Sequence, residues 1–130
     1  MNIKTDWQRA ALTEKASIKD AIENLVASSL QIILIIDSNN VLLGVVNDGD
    51  IRRGVLRGLS LEDSIKEVIN RDPLVVDKDV STESVLHLMN VNIFHAIPIV
   101  DKKRHVLGLH LINEMIVPEK KNNQMIIMAG

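Results

Sequence analysis

Hydrophobic and polar residues follow the same order twice along this chain, at one constant spacing. The apolar run that ends at Asp37 returns as the run that ends at Asp101, and the same shift carries Ser17 onto Ser81. No gap is needed between residues 16 and 51, and apolar positions fall on apolar positions almost throughout. Because the match extends over a helix, a strand, a turn and a second strand in one register, the sequence predicts an internal structural repeat.

Each copy predicts the same order of elements, β-α-β-β-α. A short extended segment is followed by Ser17 or Ser81, whose side-chain oxygen is suited to cap the first turn of a helix. Apolar residues at helical spacing follow, and in the first copy they are Ile18, Ala21, Ile22, Leu25 and Val26. A run rich in β-branched residues then predicts a buried strand, and a short polar turn joins it to a second strand in a hairpin. The last helix is predicted to begin near Asp48 in the first copy and near Asn113 in the second.

The segment between the copies predicts one more helix. Ser60 is a suitable cap with Asp63 three residues later, and this helix is expected to end near Ile69, before Pro73. Each half exposes a sheet face that only the other half can cover, so we expect an α/β (α+β) fold of two halves related by a pseudo-twofold axis. The expected boundaries are 1–8 for an N-terminal extension, 9–58 for the first motif, 59–73 for the connecting helix and turn, 74–117 for the second motif, and 118–130 for a linker and the start of a truncated catalytic domain.

Composition narrows the classes of function. The net charge is −2 and no basic patch stands out, so nucleic acid and acidic membrane surfaces are not expected as partners. The chain has no cysteine, and its histidines lack the spacing of a metal site, so no metal is expected; they are His87, His95, His105 and His110. No apolar run is long enough to span a bilayer, which favours a soluble, cytoplasmic protein. The single tryptophan, Trp7, is expected to anchor the N-terminal segment against the domain.

The second strand of the first copy leads into a distinctive segment, Gly44-Val45-Val46-Asn47-Asp48-Gly49-Asp50-Ile51-Arg52-Arg53. It resembles the diagnostic segment of the CBS motif, the tandem module first described in cystathionine β-synthase. In that motif a strand ends in Gly, and a hydroxyl residue precedes an Asp by three positions at the start of the last helix. The resemblance covers about residues 9 to 117 and implies a sensory and regulatory module with no catalytic residues.

The continuation of this segment as far as Leu61 resembles CBS pairs that precede a sugar-phosphate nucleotidyltransferase domain. Residues 118–123 are polar and typical of a linker. Residues 124–130 form a short apolar run ending in Ala-Gly, which resembles the opening of such a domain. The resemblance therefore implies a regulatory fragment with a catalytic domain in cis. The alternative is that this run is the last strand of a complete small protein.

The resemblance also implies a nucleotide site at the start of the last helix of the first copy. In CBS pairs that bind adenine nucleotides, the Asp, here Asp50, accepts hydrogen bonds from the ribose hydroxyls, and the residue at the position of Asn47 contacts phosphate. A helix N-terminus favours an anion, and Arg52 or Arg53 can bind phosphate bidentately. The base-binding surface implied by the family is Leu12, Thr13, Ile32, Ile33 and Leu34. The alternative is that Asn47 and Asp50 only cap the helix, and that the arginines lie on a solvated face.

The second copy lacks this pattern, because Leu111 stands at the position of Asn47 and Glu114 at that of Asp50. We therefore expect one nucleotide per chain, such as AMP, ADP or ATP, with no required cofactor. A homodimer is expected because apolar helix residues are left to cover, namely Ile51, Val55, Ile112 and Met115. The alternative function is a ligand-free dimerisation and assembly module.

Overall fold

The first half of the protein is a small sheet with helices packed on one side. The computed structural model describes residues 7–92 and 96–111. The elements of the first half are β1 (Ala11–Leu12), α1 (Ile18–Ser28), β2 (Ile33–Ile36), β3 (Leu42–Val46) and α2 (Asp48–Leu56). Strand β2 lies in the middle, parallel to β1 and antiparallel to β3. This is the β-α-β-β-α order that the first copy predicts.

The second half repeats this arrangement within its described residues. Its elements are α3 (Thr82–Asn92), β4 (Ala96–Val100) and β5 (Val106–Leu111). Strands β4 and β5 pair antiparallel, and Val76 forms a parallel bridge with Ile99 where β1 pairs with β2 in the first half. The predicted last helix, with Glu114, and the tail of residues 118–130 lie outside the described residues. No described helix is both long and apolar enough to cross a membrane.

The helix starts follow from the residues that cap them. The Ser17 side chain accepts the Asp20 N–H at 3.1 Å, and the Asp20 carboxylate accepts the Ser17 N–H at 3.0 Å, which forms a capping box. In the second half, the Ser81 hydroxyl accepts the Ser84 N–H at 3.1 Å, one residue before α3 begins. Both caps predicted from the repeat are confirmed.

The helix predicted over residues 60–69 is not formed, and this prediction is corrected. Ser60 and Asp63 close a single turn, in which the Asp63 carboxylate accepts the Ser60 N–H at 2.7 Å, and a short 3₁₀ helix follows over Ile65–Glu67. The Asp63 carbonyl accepts the N–H of Ile18 at 2.9 Å, and the Ile65 N–H donates to the Ala16 carbonyl at 2.9 Å. Because these backbone groups bond to the start of α1, they are not available for the ladder of a longer helix.

The two halves pack against each other through their sheets. Alternation along β2 turns Ile33 and Ile35 towards α1 and Leu34 towards the other half. In the second half, Ile97 and Ile99 likewise belong to a core with α3. The buried cluster between the halves contains Trp7, Ala10, Leu30, Ile32, Leu34, Leu42, Val45, Ala96, Val100, Val106 and Leu109. The predicted fold, an α+β pair of similar halves, is confirmed.

Candidate functional site

A cleft of about 690 Å³ lies between the two halves at the start of α2. This volume is typical of a site for a small molecule. Part of the lining is apolar, and it includes Ile32, Val45, Leu74, Ala96 and Pro98. The first turn of α2 also lines the cleft, with Asn47, Asp48 and Gly49. The cleft thus combines apolar side chains with the N-terminal end of a helix.

A capping box fixes the first turn of α2. The Asn47 side-chain oxygen accepts the Asp50 N–H at 2.8 Å, and the Asp50 carboxylate accepts the Asn47 N–H at 3.0 Å. The first N–H groups of a helix have no partner within it, and here they belong to Asp48 and Gly49, which line the cleft. The capping role that the sequence offered as the alternative is therefore present, and the same turn borders the cleft.

The two arginines of this helix have different surroundings. Arg53 donates to the Asp50 carboxylate at 2.6 Å and lines the cleft. Its guanidinium lies over the first turn, since a β-carbon at Gly49 would lie 3.3 Å from its Nη1 atom. Arg52 pairs with Asp48 at 2.8 Å, its side chain is 77% exposed, and it is not a lining residue. The structure thus separates two residues that the sequence grouped together.

The structure divides the predicted nucleotide-binding residues into those that line the cleft and those that do not. Asn47, Arg53 and Ile32 line the cleft. Asp50 is not a lining residue, but its side chain is 15% exposed and its carboxylate bonds to the Asn47 N–H and to Arg53, two residues that do line the cleft. The remaining predicted residues do not line the cleft, and they are Leu12, Thr13, Ile33, Leu34 and Arg52. Of these, Ile33 and Leu34 are fully buried in the cores, so their side chains are not surfaces for a base.

The sequence did not indicate the part of the cleft that the connecting segment and the second half supply. Asn70 and Pro73 come from the segment before the second copy, and Pro98 comes from β4. Asn70 is held beside the cleft by two backbone hydrogen bonds with Val45, of 2.9 and 3.0 Å. A repeat predicts equivalent positions within each copy, but the pairing of Asn70 with β3 depends on how the two copies pack.

At the equivalent place in the second half, Leu111 stands at the position of Asn47, where it ends β5 and packs against the cluster between the halves. Glu114 and the start of the equivalent helix lie outside the described residues. The expectation that the second site is degraded therefore stays a prediction.

The described histidines are not arranged as a metal site. His105 Nδ1 lies 3.0 Å from the Asp101 carboxylate, and His87 is exposed on α3. His110 is fully buried, and burial lowers the pKa of its imidazole. His95 lies outside the described residues. Within residues 7–92 and 96–111, no group of three or more His, Asp or Glu side chains could hold a metal ion.

Comparison with known families agrees with the repeat. The family model described as "CBS domain" matches residues 9–57 and residues 65–109. These two matches correspond to the two halves of the structure and cover most of the chain. The chain therefore belongs to the CBS domain family and contains a tandem pair of these domains.

The curated relatives are longer proteins. An uncharacterized protein of Helicobacter pylori strain J99 is 32% identical over 102 residues, which are 77% of this chain and 31% of that protein. A homoserine O-acetyltransferase of Methanocorpusculum labreanum is 25% identical over 99 residues, which are 76% of this chain and 20% of that protein. The chain thus spans about a third or less of the length of these two relatives.

Solved structures share the fold. CBSX2 in complex with AMP has a TM-score of 0.75 at 21% identity and covers 92% of each chain. The cytosolic domain of the Mg²⁺ channel MgtE in complex with ATP has a TM-score of 0.69 at 19% identity, covering 84% of this chain and 44% of that chain. The CBS-domain protein ATU1752 from Agrobacterium tumefaciens has a TM-score of 0.74 at 17% identity, with 91% and 99% covered. These similarities confirm the fold.

Proposed function

We propose that this chain is a regulatory CBS pair that binds one adenine nucleotide in the cleft at the start of α2. The observation that supports the proposal is the cleft itself, which is lined by apolar side chains, by the first turn of a capped helix and by Arg53. A purine base needs a flat apolar surface, and a phosphate needs donors and positive charge. The lining of the cleft provides both kinds of group.

The base is assigned to the apolar part of the lining, where Ile32, Ala96 and Pro98 lie. The phosphate is assigned to the first turn of α2, where the N–H groups of Asp48 and Gly49 and the helix dipole favour an anion. Arg53 has five N–H donors, of which the contact with Asp50 uses one, so its guanidinium retains donors for phosphate. Asp50 has acceptor capacity beyond its two contacts, and we assign that capacity to the ribose hydroxyls.

Two similar structures support the ligand class. CBSX2 was solved with AMP and the cytosolic domain of MgtE with ATP. The charges near the cleft favour a ligand of low charge, because Asp48 pairs with Arg52 and Asp50 pairs with Arg53. The two pairs contain two positive and two negative charges, so they leave no net positive charge to balance a triphosphate. We therefore assign AMP as the preferred member of the class.

The regulatory role requires a second activity whose state depends on the ligand. A ligand shifts such an equilibrium only when it binds one arrangement of the module better than another. The segment through Leu61 resembles CBS pairs attached to sugar-phosphate nucleotidyltransferases, and this resemblance supports such a domain in cis. Reading the gene beyond Gly130 tests this part: a Gly-rich loop with an Arg supports it, and any other domain contradicts it. Location in the cytoplasm stays a prediction.

Calorimetric titration of the chain with adenosine, AMP, ATP and GMP tests the proposed function. We expect saturable binding of AMP with one site per chain, tighter than the binding of ATP or GMP. Absence of saturable binding for all four ligands would contradict the proposal and favour the assembly function.

One specific observation favours assembly as a second function. Apolar side chains of the first half remain exposed on and after its helices: Ile22, Val26, Val55, Leu56 and Leu61. Val26 is 76% exposed and Leu56 is 86% exposed. Ile51, predicted as part of a dimer surface, is instead only 3% exposed and packs in the core of its own half, whereas Val55 is exposed as predicted. Val26 lines the cleft, and we propose that the other exposed residues form a homodimer contact; Ile112 and Met115 lie outside the described residues.

A further inference from the structure

His110, on β5, is an ionisable side chain that the fold buries completely. Its exposed fraction is 0%, and neither of its ring nitrogens has a hydrogen-bond partner among the residues that the structure describes. Buried polar atoms are normally hydrogen-bonded, because a group that loses water without gaining a partner destabilises the folded state. The imidazole therefore makes the second half less stable than an apolar side chain of similar size would.

The first copy has a valine at the same position. The repeat relates His110 to Val46, which is also fully buried and packs with Ile18 and Ala21 of α1. The two positions are thus equally closed to solvent, and of the two only the second has an ionisable group. A valine at this place is compatible with the fold, so the protein itself provides the precedent for the substitution His110→Val.

Strand β4 separates the imidazole from the cleft. His110 is directly opposite Ile97 in the antiparallel pair of β5 and β4, and side chains at opposed positions lie on the same face of a sheet. Ile97 packs in the core with α3, so the imidazole lies on the α3 side as well. Ala96 and Pro98, on either side of Ile97, lie on the other face and line the cleft. A movement of β4 that exposes the imidazole would therefore also move part of the cleft lining.

No charged side chain of the described elements around the imidazole is turned towards it. Strand β4 has no ionisable residue, and β5 has none besides His110. On α3, Glu83 and His87 are exposed, and so are the charged residues 77–79 that precede this helix. Burial lowers the pKa of His110, and the positive charge of the amino terminus acts in the same direction. The imidazole is therefore neutral at neutral pH, and a proton on it would be an unpaired charge in an apolar core.

We propose that His110 makes the cleft sensitive to acid: proton uptake by its imidazole opens the second half and weakens the binding of a ligand. The ligand rests on the proposed function, whereas the response to acid rests on the position of His110. A charged imidazole regains water only when β4 and α3 separate, and that opening displaces Ala96 and Pro98. Protons and the ligand thus favour different arrangements of the second half, so each lowers the affinity for the other.

The direction of the effect follows from the proton balance. An exposed imidazole takes up a proton with a pKa of about 6.5, and the buried imidazole of His110 does so only at lower pH. The opened and unfolded states therefore bind more protons than the folded state. Stability is complete above about pH 6.5 and is lost as the pH falls below it, towards the lowered pKa of the folded state.

Urea unfolding of wild type and His110→Val between about pH 7.5 and about pH 5 tests the response to acid. The other histidines are the same in both proteins, and the range lies above that in which Asp101 titrates. We expect the unfolding constant of wild type, relative to that of the variant, to rise by up to about tenfold per pH unit below about pH 6.5. His110→Gln keeps polar atoms without a titrating group, and it should match His110→Val in its dependence on pH. Circular-dichroism melting identifies which variants are folded.

Titration of AMP into wild type and His110→Val tests the coupling to the cleft. The phosphate of AMP titrates over the same range, but this effect is common to both proteins and cancels in the ratio of their affinities. At about pH 7.5 we expect equal affinities, and at about pH 5.5 we expect wild type to bind AMP at least about threefold more weakly than the variant.

The outcomes separate this inference from the proposed function. A ratio of unfolding constants that stays constant with pH overturns the inference and leaves the binding of AMP as proposed. A rising ratio with equal AMP affinities at every pH also overturns the inference, because the imidazole then does not act on the cleft. A rising ratio in a protein that does not bind AMP overturns the proposed function and supports the acid response of the second half.

Discussion

Val41 and His105, which occupy equivalent positions in the two copies, pair with each other as an antiparallel bridge between the two hairpins. Beside them, the N–H of Leu42 donates to the carbonyl of Arg104 at 2.8 Å, and the reciprocal bond between their counterparts is 3.0 Å. Each bond is the image of the other under the repeat. The pseudo-twofold axis therefore passes between Val41 and His105, and the halves are matched in backbone while their side chains differ.

In each of the two loops at this axis, an aspartate side chain, Asp37 or Asp101, accepts backbone N–H groups. The environment of Asp101 predicts that the stability of the protein depends on pH. The Asp101 carboxylate accepts the backbone N–H groups of His105 at 2.8 Å and Lys103 at 2.9 Å. The bond from the His105 N–H is the main cause that lowers the pKa of Asp101. A lowered pKa in the folded state gives stability that is present above the ordinary pKa and is lost as pH falls below about 4.

Urea unfolding of wild type and Asp101→Asn, from about pH 7 to about pH 3, measures this contribution. The variant keeps one acceptor but does not titrate. We expect the variant to be less stable than wild type at neutral pH, and we expect the difference to shrink as pH falls. A difference that stays constant over the whole range contradicts this assignment.

The structure leaves no room for a methyl group at Gly44. A β-carbon there would lie 2.5 Å from the Ile69 side chain and 2.6 Å from the Asn70 carbonyl oxygen. Since that carbonyl accepts the Val45 N–H, the backbone must shift, and Gly44→Ala is expected to cost about 1–3 kcal/mol. Gly49→Ala is the control, because its methyl meets the Arg53 and Asn47 side-chain ends at 3.3 Å. Equal melting temperatures of the two variants would refute the close packing at Gly44.

Asp50 has a matched control in Asp20, because both complete a capping box and only Asp50 lies beside the cleft. Asp50→Ala and Asp20→Ala should each lower stability by about 0.3–1 kcal/mol, the loss of a carboxylate in the first turn of a helix. Asp50→Ala should also weaken AMP binding by roughly 30- to 150-fold, since it removes a charged acceptor worth about 2–3 kcal/mol. Asp50→Asn should have an intermediate effect, and Asp20→Ala should leave affinity unchanged. Titrations and melting curves on all three decide the matter, and unchanged affinity in Asp50→Ala removes Asp50 as the ribose ligand.

Sequence alone was sufficient for features that depend on neighbouring residues. The segment around Ser17 predicts its role as a cap, and the segment around Asp48 predicts the start of α2, which the structure has at Asp48. Sequence alone was not sufficient where distant segments compete for the same backbone groups. The carbonyl of Asp63 bonds to the start of α1, and Asn70 bonds to Val45. Neither contact can be predicted from the residues next to it in the sequence.

The assembly proposal predicts a homodimer in solution. Sedimentation velocity at micromolar concentration should show a species of about twice 14.5 kDa, because the exposed apolar side chains of α1 and α2 need a cover. Leu56→Glu should shift the equilibrium towards monomer, since the side chain is 86% exposed, does not line the cleft, and the charge would be buried in a contact. Arg52→Gln, on the same helix, is the control. A single species at 14.5 kDa for the wild type would contradict the dimer.

The central claim is that the cleft at the start of α2 binds the phosphate of a nucleotide, and two neighbouring arginines test it most directly. Arg53 lines the cleft, whereas Arg52 pairs with Asp48 at the surface. In calorimetric titrations with AMP, Arg53→Ala should weaken binding by roughly 10- to 150-fold, the loss of a charge-assisted hydrogen bond, and Arg52→Ala should change it by less than about threefold. Adenosine affinity should be similar in both variants. Equal effects of the two substitutions on AMP, or no saturable binding of AMP to wild type, would contradict the claim.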